Sequence, residues 1–178
     1  MAMSTDYNYA VPGTVPVLAQ PTNETCWATA ATMLFSWRDN QSYTFEHAMD
    51  MISPYYRARL DNNKPLLDGE EADFLAVSGL IGEPPANYTI DGILRLLQNY
   101  GPLWVTLNED PANIFSHHAL VITEMFGDGT PDGTFLQMND PDGGVQVALS
   151  FTDYVQKFES VAGSAGTGEA LLLQIIHV

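Results

Sequence analysis

The chain has 178 residues, 46% of them apolar, with eight Phe, eight Tyr and three Trp, which is enough to bury a sizeable core and argues against a disordered chain. Six Lys and Arg stand against 22 Asp and Glu, a formal net charge of −16 that repels nucleic acid and anionic membranes and reads first as an acidic, solubilising surface and second as one that would attract a basic substrate or partner. No stretch approaches the roughly 20 apolar residues of a membrane helix, no basic flank followed by an apolar run opens the chain, and the lone cysteine, Cys26, can form neither an intrachain disulfide nor a cysteine metal cage.

Residues 1–13 are polar, contain Pro12 and Gly13, and are expected to form a flexible arm ahead of one domain over residues 14–178. Val15-Pro16-Val17-Leu18 reads as a short extended segment, because Pro16 biases its predecessor away from helix. Thr25 or Asn23 is expected to cap a helix that starts beside Cys26, in which Trp27, Ala30, Ala31, Leu34 and Trp37 recur at helical spacing. A second helix is predicted over residues 44–52, capped by Thr44, with Phe45, Ala48, Met49 and Ile52 on one face. Residues 53–67, with Arg57, Arg59 and Lys64, read as a loop or short turn. A third helix is predicted over residues 69–77, opened by Asp68 and closed by Gly79. A fourth covers residues 90–99, with Thr89 as cap, Ile90, Ile93, Leu94 and Leu97 as its buried face, and Gly101 as its stop.

After Pro102 the pattern shortens to β-like segments over residues 103–107, 118–125, 134–138, 145–149 and 170–176, separated by turn pairs such as Asp128-Gly129 and Asp132-Gly133. Ser150 is placed to cap a helix over residues 151–158, and the Gly/Ser/Ala stretch 162–168 reads as a mobile loop. The run from Asp128 to Gly133 has a calcium-like composition but lacks the length and terminal glutamate of an EF-hand, so it reads as a turn, and no metal or cofactor is expected. Helices first and strands later predict an α+β domain, a helical lobe packed on an antiparallel sheet.

The chemistry centres on Cys26. At the start of a helix its sulfur would meet unpaired N–H groups and the positive end of the macrodipole, which favour a thiolate. A cysteine nucleophile also needs a base within reach, a group that fixes the base's tautomer, and donors for the developing oxyanion. His118 opens the apolar run Ala119-Leu120-Val121-Ile122 and His117 precedes it. Neighbours on a strand face opposite sides, so one of the two is expected to reach Cys26. Asp140 or Asn139 could orient that base. Gln20, six residues before Cys26, is the candidate oxyanion donor beside the Cys26 backbone N–H. His47 and His177 read as surface or packing residues.

Gln20, Cys26-Trp27-Ala28, His118-Ala119-Leu120-Val121 and Asn139-Asp140-Pro141 together resemble a papain-like cysteine peptidase. The likeness is to the compact bacterial branch that includes secreted effector proteases and, more distantly, bacteriocin leader-processing peptidases. Val15-Pro16-Val17-Leu18-Ala19-Gln20-Pro21 and Tyr100-Gly101-Pro102-Leu103-Trp104-Val105 fit the same branch, so the resemblance spans about residues 14–158. It implies a papain-like fold, an N-terminal helical lobe on a C-terminal antiparallel β-sheet lobe with the active site in the cleft. It implies Cys26 as nucleophile, His118 as base, Asp140 as orienter and Gln20 as oxyanion donor. The activity it implies is thiol-dependent peptide hydrolysis, in a bacterial effector or toxin secreted or injected without a cleavable signal peptide. The implied partners are a protein or peptide substrate and a basic inhibitor or immunity partner, with no nucleic acid and no membrane. The same site could serve an amidase or deamidase of cell-wall peptides or glutamine side chains, although Thr25-Cys26-Trp27 differs from the Asp-Cys-Ser of the usual cell-wall enzymes. A non-catalytic binding module is the remaining reading.

Overall fold

Three hydroxyls open three helices. Thr44, Ser53 and Thr89, each in extended backbone, accept from the N–H groups of His47, Tyr56 and Gly92 and so satisfy donors that a helix start leaves unpaired. They begin α2 (Phe45–Ile52), α3 (Pro54–Asp61) and α5 (Ile90–Tyr100). With α1 (Cys26–Asp39), α4 (Glu71–Ser78) and α6 (Phe151–Ser164) they are the six helices among the described residues. The computed structural model describes residues 7–67, 69–110, 112, 116–164 and 173–178, with 162–164 as backbone only.

The strands are β1 (Tyr9–Ala10), β2 (Ile81–Gly82), β3 (Leu103–Asn108), β4 (His117–Gly127), β5 (Thr134–Asp140), β6 (Val145–Ser150) and β7 (Ile175–His177). They form one antiparallel sheet in the order β2-β7-β3-β4-β5-β6, with β1 paired to β4. β3 takes β4 over residues 117–122 and β1 takes the same strand at Glu124 and Met125, so β1 continues the line of β3.

Side chains alternate across this sheet and divide the core in two. Leu103, Val105, Leu107, Leu120, Ile122, Leu136 and Met138 face α5 and α6. Trp104, Ala119, Val121 and Ile176 face α1 to α4. The fold is therefore α+β as expected, with helices α1–α4 as the lobe that carries Cys26. In α1 every residue from Trp27 to Ser36 is buried. It lies between the sheet and α2–α4, and Ala28, Ala30 and Ala31, all fully buried, permit that close approach.

Several local expectations change. Residues 53–67 contain α3: Ser53 caps it, Pro54 occupies a first-turn position where no N–H is needed, and Arg57 bonds Asp61 at 3.0 Å one turn on. The described part of the arm expected over residues 1–13 is held at the sheet, since β1 pairs with β4 and Val11 is buried, with its N–H on Thr123 O at 3.0 Å. Thr25 makes no side-chain cap: its hydroxyl donates to Thr22 O at 2.9 Å instead. α6 continues to Ser164, through the first part of the stretch expected as a loop. Asp68 and residues 165–172, including the start of the strand expected over 170–176, lie outside the described residues. The Asp128–Gly133 run is a hairpin turn, with Asp128 Oδ1 accepting from Thr130 N at 2.8 Å and Thr130 Oγ1 at 2.7 Å.

Candidate active site

Cys26 is the first residue of α1. A tight turn delivers it there: Thr25 is fully buried, its N–H and hydroxyl both on Thr22 O at 3.3 and 2.9 Å. Behind the cysteine, Trp27 is wedged edge-on against Tyr56 and Phe74, with ring centroids at 6.0 and 5.7 Å. Phe74 in turn meets Trp104 of β3 at 5.9 Å. Burying rings of this size contributes on the order of 1.5–3 kcal/mol each, so the cluster fixes the start of α1 against α3, α4 and the sheet. The Trp27 indole N–H donates to Lys64 O at 3.0 Å, which fastens the loop after α3 beside the cysteine.

His118 and Asp140 come from the end of the sheet. Ile122 and Met138 are partners across β4 and β5, and the two-residue period of a strand puts His118 and Asp140 on the same face as that pair. His118 Nε2 meets Asp140 Oδ1 at 2.6 Å. Asp140 Oδ1 also accepts from Asp142 N at 2.8 Å, which fixes the carboxylate in the turn that follows. Cys26 and His118 line one cleft, so the imidazole stands beside both the sulfur and the Asp140 carboxylate. Burial pulls the His118 pKa down, but the bonds to Asp140 and Cys26 outweigh it and hold the imidazole at about 10. Burial pushes the Asp140 carboxyl up, and the bonds from His118 and Asp142 more than offset this, so it lies below the ordinary carboxylate value.

Strand alternation alone places His117, rather than His118, on the α1 side with Ala119 and Val121. His118 reaches the sulfur because β4 begins there, where no sheet lies beyond to separate the two faces. His117 lines the cleft on both sides of Cys26–His118. His47 stacks on Tyr43 at 5.2 Å on an exposed part of α2, and His177 is buried, bonded to Glu83 at 2.8 Å and stacked on Tyr100 at 3.9 Å.

Gln20 stands on the other flank of the groove, which it lines with Asn23, His118 and Asp140. Its Nε2 donates to Asn23 O at 3.1 Å, which orients the amide and leaves that nitrogen's second N–H for a ligand. Asn139, the other candidate orienter, does not approach the base. It is fully buried and its Nδ2 donates to Val15 O and Pro16 O at 3.3 and 3.1 Å. On the opposite side of His118 the cleft beside Cys26 is walled by Trp27, Pro65, Leu66, Trp104, Leu173 and Ile176 together with the polar Glu24, Glu71, Thr106 and Gln174, around a cavity of about 140 Å³. Sequence reasoning missed this wall and the structural role of Asn139; the apolar pattern of Pro65-Leu66 was the available signal for the first.

A thiol at a helix N-terminus, an imidazole held by a carboxylate and an amide that lines the other flank of that imidazole make a set of groups that can together carry out acyl transfer. The family model described as papain-like cysteine protease AvrRpt2 matches residues 8–159, which include all four of these side chains. No curated protein matches the chain.

Proposed function

The chain belongs to the papain-like cysteine protease AvrRpt2 family, and from that premise we propose that it is an endopeptidase whose acyl-enzyme forms on Cys26, with His118 as base, Asp140 as orienter and Gln20 as oxyanion donor. The Sγ proton passes to His118, which holds it as the imidazolium, and the thiolate of that ion pair attacks the scissile carbonyl carbon. The carbonyl oxygen becomes an oxyanion, held by Gln20 Nε2–H and the Cys26 backbone N–H. The C–N bond breaks as the His118 imidazolium gives its proton to the leaving amine, and a thioester remains. Water then attacks the thioester while His118 takes its proton. The C–S bond breaks, releasing the carboxylic product and restoring the thiol.

The single observation that carries this reading is the His118–Asp140 bond of 2.6 Å beside the cleft that Cys26 and His118 line together. Asp140 on Nε2 leaves Nδ1 for the sulfur and stabilises the imidazolium that each half-reaction forms. The cleft wall, apolar at Leu66 and Ile176 and acidic at Glu24 and Glu71, supports an extended substrate with a side chain of mixed apolar and basic character beside Cys26. An effector role after export, and a basic substrate or inhibitor for a surface of net charge −16, belong to the same reading.

The test is a proteome-derived peptide library digested by wild type and by Cys26→Ala, read by mass spectrometry. New termini with wild type alone support the proposal. Equal cleavage by both proteins, or glutamine deamidation without new termini, overturns it.

A further inference from the structure

Gln20 sits at the end of a segment, residues 14–20, that belongs to no strand or helix, so a donor placed there needs to be held by something else. What holds it is the turn between β5 and β6. Asn139 Nδ2 bonds Val15 O and Pro16 O, and its own Oδ1 accepts from Gln146 Nε2 at 3.1 Å, so the amide cannot rotate freely. Gln20 N donates to Pro141 O at 2.8 Å. Gly144 has φ of +63°, and a Cβ there would stand 2.8 Å from Ala19 N and 2.9 Å from Ala19 Cβ, so only glycine lets the turn lie against the residue before Gln20. The other side of the same turn presents Asp140 to His118. Asn139 and Asp140 are strand neighbours and so point to opposite faces.

We propose that Asn139 and Gly144 are positioning residues for Gln20, while the neighbouring Asp140 separately serves His118. This rests on the reading of Gln20 given above. Asn139 acts through the backbone of residues 15–16, and Gly144 through the close approach at Ala19. Neither touches the scissile bond. A shift of about 1 Å in a positioned group can cost on the order of 10²-fold in rate, so small displacements of this segment are enough.

The experiment is a double-mutant cycle. Gly144→Ala and Asn139→Ala are made alone and in a Gln20→Ala background, and kcat, KM and the pH profile are measured on a peptide cleaved by wild type in the library. Alone, each substitution is expected to lower kcat by about 10–10²-fold with KM little changed and the alkaline limb of kcat/KM unmoved. In the Gln20→Ala background each is expected to cost nothing further, because the donor they position is gone. An equal loss in both backgrounds, or a moved alkaline limb, overturns the inference, since the turn would then act through His118 or through general stability. A wild-type kcat in Gln20→Ala itself overturns the oxyanion assignment first, and this inference with it. Should Asn139→Ala fail to fold, Gly144→Ala decides the question.

Discussion

His118 Nε2 and Asp140 Oδ1 lie 2.6 Å apart across adjacent strands, which ties this imidazole to the sheet rather than to the helix that carries Cys26. Burial lowers the His118 pKa, and the bonds to Asp140 and Cys26 overcome it and raise the group to about 10. The protonated imidazole that delivers a proton to the leaving amine therefore persists well above neutrality. The alkaline limb of kcat/KM is expected near pH 10. Asp140→Asn removes one of the interactions holding the proton, so the limb should move down towards the ordinary histidine range. General acid–base terms of this kind are worth about 10²–10⁴-fold, and kcat should fall within that span. Initial rates from pH 5 to 11 for both proteins check it, and an unmoved limb would count against the assignment.

The same pair makes stability depend on pH in two directions. His118 has a raised folded pKa, so its contribution is complete below about 6.5 and is lost as pH climbs through about 10. Asp140 has a lowered folded pKa, so its contribution is present above the ordinary carboxylate range and is lost as pH falls through the folded value. The difference in Tm between wild type and Asp140→Asn should be greatest near pH 5–6 and shrink towards pH 10. Thermal melts in matched buffers give that difference directly.

Gln20 holds its amide on Asn23 O and lines the groove beside His118, so its loss should be felt in the transition state rather than in substrate binding. Gln20→Ala is expected to lower kcat by about 10²–10³-fold with KM nearly constant. Gln20→Glu should be worse, because a carboxylate replaces the donor with negative charge where the oxyanion forms. Steady-state kinetics on one peptide substrate separate the two terms, and a change confined to KM would contradict the oxyanion role.

Much of this was legible in the sequence because local chemistry and tertiary role coincide. Thr89 and Gly101 bracket α5 through a hydroxyl and a positive-φ glycine, both readable from residue type alone. Ser53-Pro54 was an equally good start signal, but α3 has a low apolar content and only Tyr56 and Leu60 buried, so periodicity concealed it. β1 is two residues long, too short for any pattern, and exists only because β4 extends past the end of β3. Cys26, Gln20 and Asp140 stood in recognisable contexts. Asn139 did not, because its job is to clamp residues more than 120 positions away. Alternation misleads at His117-His118, where the strand start frees the ring from the face its position assigns.

The histidine doublet can be resolved by substitution. His118→Ala should abolish cleavage, leaving Cys26 without the imidazole that shares its cleft. His117→Ala should retain turnover within about tenfold, since His117 lines the cleft but the bond to Asp140 belongs to His118. The pH dependence of Cys26 alkylation by iodoacetamide reports the pair without any substrate. It should change in His118→Ala and keep its wild-type form in His117→Ala, and the reverse outcome would transfer the role.

Gly101 tests the fold away from the chemistry. It ends α5 at φ +84°, and a Cβ there would stand 2.2 Å from the Trp37 ring. That ring cannot easily retreat, because its indole N–H donates to Pro12 O at 2.7 Å and the ring packs against the core shared by α5 and the sheet. At ψ −145° Gly101 occupies a positive-φ region essentially confined to glycine, beyond the left-handed helical region of Gly79, so Gly101→Ala combines a larger backbone cost with overpacking, about 2–4 kcal/mol together. Gly79 also has positive φ, +73°, but a Cβ there meets nothing within 4 Å, so Gly79→Ala incurs the backbone term alone. Urea unfolding should show Gly101→Ala clearly less stable than Gly79→Ala, and equal midpoints would mean that Trp37 moves aside at little cost.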